Sequence, residues 1–224
     1  MAFTIRNPIS LVFLCVLALW NATLESAIFW NVGRYRFDKD TKAENQEAIS
    51  NYMGLAFLAS SDIFQIMAFA QVMQMPQIYP VFMREVTNNM YSASAFYAAA
   101  VASIICTFIF YPLTITFASF FWFGLPDSSF SNLLAYLACM VAMMFAGASF
   151  GFLFGTIFKD PIIAAKFLEN IATLFQFGGG MIVNVSSKAN YLARFLSYTS
   201  PQRYGAELLF RVVTTGLEGQ EVIL

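Results

Sequence analysis

Residues 130–158 read FSNLLAYLACMVAMMFAGASFGFLFGTIF, without one charged side chain before Lys159-Asp160-Pro161 closes the run. About 20 apolar residues in helical conformation cross the hydrocarbon core of a bilayer. The run is continuous rather than alternating, so it reads as a helix; a barrel strand would alternate and need only about 10 residues. The rest of the chain agrees. Of 224 residues, 59% are hydrophobic and 11% charged, far below the roughly one quarter charged residues of soluble domains. The fold class is an all-α polytopic membrane protein.

Four more runs have spanning length: residues 9–30, 52–75, 95–123 and 162–183. Pro76 is expected to end the second and Gly124-Leu125-Pro126-Asp127 the third. Arg6 ahead of the first run has the look of a signal-peptide start. Apolar character resumes over Ala27-Ile28-Phe29-Trp30, and no small-x-small cleavage site intervenes, so a spanning helix is the better reading.

Several chemistries are excluded by what the chain lacks. It has no histidine, and its three cysteines, Cys15, Cys106 and Cys139, are scattered through apolar runs. That removes zinc sites, Cys/His nucleophile pairs and disulfide scaffolds, so no metal site is expected. No GxxxxGK[ST], no GxGxxG after a strand and no GxSxG occurs, so no catalytic residue is assigned. The net charge of −1 and the absence of a basic block leave no nucleic-acid partner.

Gly147, Gly151 and Gly155 recur every four residues on one helix face. Small residues at that spacing let two backbones approach closely, first of all in internal helix packing and alternatively in a dimer seam or moving interface. Asp62, in LASSDIFQ, lies mid-span, where an ionisable group is costly and needs a partner or a wet cavity. It is either a cavity-facing polar residue or an acid hydrogen-bonded to a neighbouring helix, with Ser60, Ser61 and Gln65 nearby. Glu25, near a span end, and Glu169, one turn after Lys166, raise the same question more weakly. Between the second and third runs, Arg84-Glu85, Asn88, Asn89 and Tyr91 make an amphipathic segment suited to an interfacial helix. Asn184-Val185-Ser186 and Asn21-Ala22-Thr23 match the glycosylation sequon, the second inside a span.

Two stretches carry a resemblance: VFMREVTNNMYSASAFY (residues 81–97) and GGGMIVNVSS…LSYTSPQRYGAELLF…GLEGQ (residues 178–220). Their order and content resemble the membrane domain of ABC transporter subfamily G, the White, sterol and multidrug half-transporters, over nearly the whole chain. The resemblance implies an ABC-2 type (type V exporter-like) domain of six spans with a cytoplasmic N-terminus. Five spans are present and the chain reads as C-terminally truncated, with residues 76–94 as coupling segment and 184–215 as external re-entrant region. No nucleotide-binding domain is present; ATP and Mg are expected there and no cofactor on this chain. Implied partners are membrane lipids, a second half-transporter, a nucleotide-binding domain and a hydrophobic or amphipathic substrate.

Residue by residue, the resemblance places a substrate cavity at Asp62, Gln65, Thr173 and Gln176. It places an exit valve at Met181 and Ile182, coupling residues at Arg84, Glu85 and Tyr91, and an external lid at Ser200, Pro201, Arg203, Tyr204 and Gly205. In the lid, Ser200-Pro201 is expected to break one short helix, with the next beginning at Tyr204-Gly205 and Arg203 either pointing to the headgroup boundary or pairing with Glu207. An acid at position 62 departs from the uncharged residue the family implies. So does the loop charge: Arg6, Arg84, Lys159 and Lys166 fall on one side, and eight other Lys and Arg on the side the family makes external. The expected activity is ATP-driven export of lipids, sterols or amphipaths by alternating access, from a plasma or intracellular membrane. The alternatives are a secondary transporter or channel subunit using Asp62 and Glu25, or a non-transporting membrane fragment.

Overall fold

The computed structural model describes residues 8–29, 42–122, 129–158, 160–179 and 191–214. Eight helices run through the described residues: α1 (Pro8–Ile28), α2 (Lys42–Thr87), α3 (Ala93–Phe108), α4 (Phe110–Trp122), α5 (Phe130–Ile157), α6 (Pro161–Gly178), α7 (Tyr191–Thr199) and α8 (Pro201–Thr214). By length and composition three stretches can cross a membrane: Gln46–Thr87, Ala93–Ala118 and Phe130–Ile157. α1 and α6 fall on the other two runs, residues 9–30 and 162–183; Lys166, Glu169, Asn170 and Gln176 lower the hydropathy of α6.

α2 begins at Lys42, ten residues before the expected start at 52, and two further boundaries differ at prolines. α2 does not stop at Pro76 but continues through Pro76 and Pro80 to Thr87. Each proline removes one i→i−4 bond, leaving the Val72 and Pro76 carbonyls without that donor. Ending the helix would free four carbonyls instead, a heavier cost at the membrane. At 46 residues and a rise of about 1.5 Å each, α2 far exceeds a bilayer core. Residues 76–94 therefore form no separate interfacial helix: they are the end of α2, a turn and the start of α3. The third span is likewise two helices, α3 and α4, meeting at Ile109. Pro112 cannot donate to Phe108, while Ile109 and Leu113 N–H still reach Ile105 and Ile109 carbonyls at 3.2 and 3.3 Å, which is the pattern of a proline-bent helix.

α2 is the central post, packing most extensively on α5 and then on α8 and α6; α1 leans mainly on α4. Its buried face repeats every three or four residues, through Tyr52, Leu55, Ala56, Ala59, Ile63, Met67, Ala68 and Val72. Facing it, Gly147, Gly151 and Gly155 of α5 lie on the backbone of α2. A Cβ on Gly147 would strike the Phe64 carbonyl, one on Gly151 would lie 2.7 Å from Gln71 Cβ, and one on Gly155 2.7 Å from Met75 Cβ. The contact is internal to the chain. Without a hydrophobic drive between helices in lipid, such close approach gains dispersion along both backbones.

Candidate functional site

α1 brings Asn21 and Glu25, one turn apart, against Asp62 of α2 and Tyr111 of α4. Asn21 Nδ2 donates to Asp62 Oδ2 at 3.3 Å and to the Tyr111 hydroxyl oxygen at 2.9 Å. Tyr111 in turn donates to Asp62 Oδ2 at 2.9 Å. Asp62 thus has hydrogen-bond partners on two neighbouring helices; the adjacent Ser60 donates instead to the Phe57 carbonyl. Asn21 and Tyr111 escaped the sequence reading. Asn21 drew notice only as an unusable sequon, and its one available signal was its polarity at span depth, as with Asp62.

Asp62 also borders a cavity of about 400 Å³ with Asn21, Glu25, Ser61, Gln65 and Gln176. A neighbouring cavity of about 670 Å³ lies between α2 and α6, against Gln65, Phe69, Glu169, Thr173 and Gln176. Gln65 and Gln176 border both. The four residues read as substrate-cavity positions are therefore gathered along two adjoining cavities. Thr173 donates its hydroxyl to the Glu169 carbonyl at 2.9 Å, which leaves its oxygen as the acceptor it can offer. Met181 and Ile182, and the Asn184 sequon, lie outside the described residues.

At the other end of α2 the segment holding Arg84, Glu85 and Tyr91, read above as coupling residues, closes a tight hairpin. Asn89 adopts a left-handed conformation with φ 56°. Met90 N–H reaches the Glu85 carbonyl at 3.1 Å, and Asn89 N–H the Val86 carbonyl at 3.0 Å. This is a Schellman ending, with Asn in the position usually given to Gly. Tyr91 donates to Glu85 Oε2 at 2.7 Å, and that bond holds the tyrosine proton above its ordinary value of 10.0. Ser92 caps α3 by accepting from Ala95 N–H, and Phe82 meets Phe96 with ring centroids 4.4 Å apart. Arg84 sits in the last turn of α2, where a cation suits the helix dipole.

α7 and α8 form the helix pair that follows α6. Ser200 is buried at their junction and Pro201 occupies the first position of α8, so α8 begins at Pro201 rather than at Tyr204-Gly205. The Ser200 hydroxyl accepts from Arg203 N–H at 3.4 Å and donates to the Phe175 carbonyl of α6 at 2.8 Å. That carbonyl is available because Gly179 N–H turns to Gln176 instead. Arg203 does not pair with Glu207. Its Nη1 donates to Ser197 Oγ at 2.6 Å and its guanidinium lies over the Tyr198 ring, 5.6 Å from the centroid. Glu207 pairs with Arg211 at 3.0 Å. Arg203–Glu207 and Glu207–Arg211 share the one-turn spacing, but Arg203 turns instead to Ser197 and Tyr198, six and five residues back across the Ser200-Pro201 junction. Tyr204 donates to the Tyr198 carbonyl at 3.0 Å, and Gly205 accommodates the Met143 side chain of α5.

Residues 2–213 match the ABC-2 type transporter family. The chain belongs to that family. It is 26% identical to Protein scarlet of Drosophila melanogaster over 160 residues, and 28% identical to Protein white of the same organism over 164. Those alignments cover 70% and 72% of this chain but 24% and 23% of the two relatives, so the chain spans about a quarter of their length. Both similarities agree with the subfamily G resemblance carried by residues 81–97 and 178–220. The ABC-2 membrane domain is an integral, multi-pass transporter component and not a catalytic domain.

Proposed function

We propose that this domain forms the membrane pathway of an ATP-driven, ABC-G-like exporter of hydrophobic or amphipathic small molecules. The observation that carries the reading is the pair of adjoining cavities along α2 and α6, joined by Gln65 and Gln176. Cavities of a few hundred Å³, apolar with a few polar groups, suit drug-sized ligands. A second half-transporter completes the pathway, and nucleotide-binding domains hydrolyse ATP with Mg. The α2–α3 hairpin, held by Tyr91 and Glu85, receives their motion. Substrate then leaves past Met181 and Ile182 beneath the α7–α8 lid. Alternating access moves substrate only when the inward and outward states bind it unequally.

ATP-dependent uptake into inside-out vesicles carrying the assembled transporter tests this reading. Asp62→Ala is expected to alter the range of amphipaths carried more than the amount of protein at the membrane. Unchanged uptake of every compound tried would remove Asp62 from the pathway, and no ATP-dependent uptake of any compound would remove the exporter.

A further inference from the structure

The wall of the smaller cavity holds buried acceptors with nothing to accept. Glu25 is only 3% exposed, yet neither of its carboxylate oxygens has a hydrogen-bond partner among the described residues. Ser61, 5% exposed, has its hydroxyl in the same condition. Both border the cavity, beside Asp62. A buried carboxylate without a donor is among the most costly groups a membrane span can hold, and such groups mark binding sites.

The ionisable residues bordering the two cavities share one sign. They are Glu25 and Asp62 around the smaller and Glu169 at the larger, with no Lys or Arg among the described residues that border either. Asp62 Oδ2 already accepts from Asn21 and Tyr111 and is fixed by them. Glu25 is the acid left without a donor among the described residues. An anionic ligand would meet repulsion here, and a neutral one could offer a donor but no opposite charge. A protonated amine brings up to three donors and the opposite charge.

We infer that the cavity bordered by Glu25, Ser61 and Asp62 is a head-group site for a cationic amphipath. The ligand is a protonated amine whose apolar body lies past Gln65 and Gln176 in the larger cavity, along Phe69 and Leu168. The inference rests on the transporter reading and adds its substrate class. Glu25 reads the charge, and the α2–α6 cavity takes the body.

The test compares two fluorescent probes, N-dansylcadaverine and its N-acetyl derivative, which keeps the dansyl body but loses the ammonium charge, bound to the complete transporter in nanodiscs. The amine is expected to bind about 10-fold more tightly, the worth of one charge-assisted hydrogen bond. Glu25→Gln should bring the ratio of the two affinities near one, whereas Glu25→Asp should preserve most of it. Asp62→Asn, which keeps an acceptor for Asn21 and Tyr111, provides a second variant and should also lower the ratio. Equal binding of both probes by the unaltered protein would overturn the inference while leaving the transporter reading intact. So would a ratio that survives both Glu25→Gln and Asp62→Asn. Binding of neither probe, with ATP-driven uptake of other amphipaths retained, would overturn it as well.

Discussion

Tyr111 donates its hydroxyl to Asp62 Oδ2 across 2.9 Å, joining α4 to α2 over 49 positions of sequence. With Asn21 bonded to both, three helices meet at one buried polar knot. Interhelical hydrogen bonds of this kind in membranes average about 0.6 kcal/mol by double-mutant cycles. Tyr111→Phe should therefore lower stability by about 1 kcal/mol or less, and Asp62→Ala by more because it strands two donors. Thermal unfolding in detergent across a Tyr111→Phe, Asp62→Leu cycle should show non-additivity. Strictly additive losses would mean that the bond contributes nothing.

The glycine face of α5 has no room to give. Gly151 faces the Ala68 carbonyl and Gln71 Cβ of α2, so Gly151→Leu must push the two longest helices apart. Overpacking costs typically about 1–3 kcal/mol in a core that can yield, and more against backbone. Folded, membrane-inserted protein, followed by size-exclusion profile, should drop sharply for Gly151→Leu and less for Gly151→Ala. A normal profile for Gly151→Leu would show that α2 and α5 are not in backbone contact.

Ser200 does two things with one hydroxyl, capping α8 and tying it to α6. Loss of an N-cap costs about 1 kcal/mol, and the Phe175 carbonyl would lose its partner as well. Hydrogen exchange at Gln202 and Arg203 should accelerate in Ser200→Ala, with α2 and α5 protected as before. Arg203→Lys should loosen the α7–α8 pair, because the ammonium cannot cover the Tyr198 ring while reaching Ser197 in the same planar geometry. Glu207→Gln should leave that pair intact.

The Tyr91–Glu85 bond sets a pH boundary for the α2–α3 hairpin. Glu85 raises the tyrosine pKa above 10.0, so the folded turn holds the proton more tightly than the unfolded chain does. Its contribution is fully present below about pH 10 and is lost as pH climbs through the raised value. Nitroxide mobility at Asn88→Cys should be flat from neutral pH to about 9 and rise beyond about 10. In Tyr91→Phe it should be raised throughout. A change near neutrality would point to another group.

Much of this was legible in the sequence. The membrane class follows from uncharged runs such as residues 130–158, and the glycine spacing of 147, 151 and 155 is visible by eye. Asp62 stood out because charge at span depth is rare. What was hidden depends on partners distant in sequence. Nothing local says that Asn21 and Tyr111 would meet at Asp62, or that Ser197 would take Arg203 from Glu207. The continuation of α2 through Pro76 and Pro80 was hidden for a different reason. Rules for proline come from helices that can end in water, and here ending the helix exposes more backbone than the two prolines do.

The central claim is that substrate passes along the cavities bordered by Gln65 and Gln176. It is tested most directly by filling them reversibly. In an assembled transporter with Cys15, Cys106 and Cys139 replaced by alanine, Gln65→Cys and Gln176→Cys are labelled with a bulky methanethiosulfonate. The account predicts that ATP-driven uptake into inside-out vesicles is lost on labelling and restored by reductant. Full uptake with both cysteines verifiably modified would contradict it.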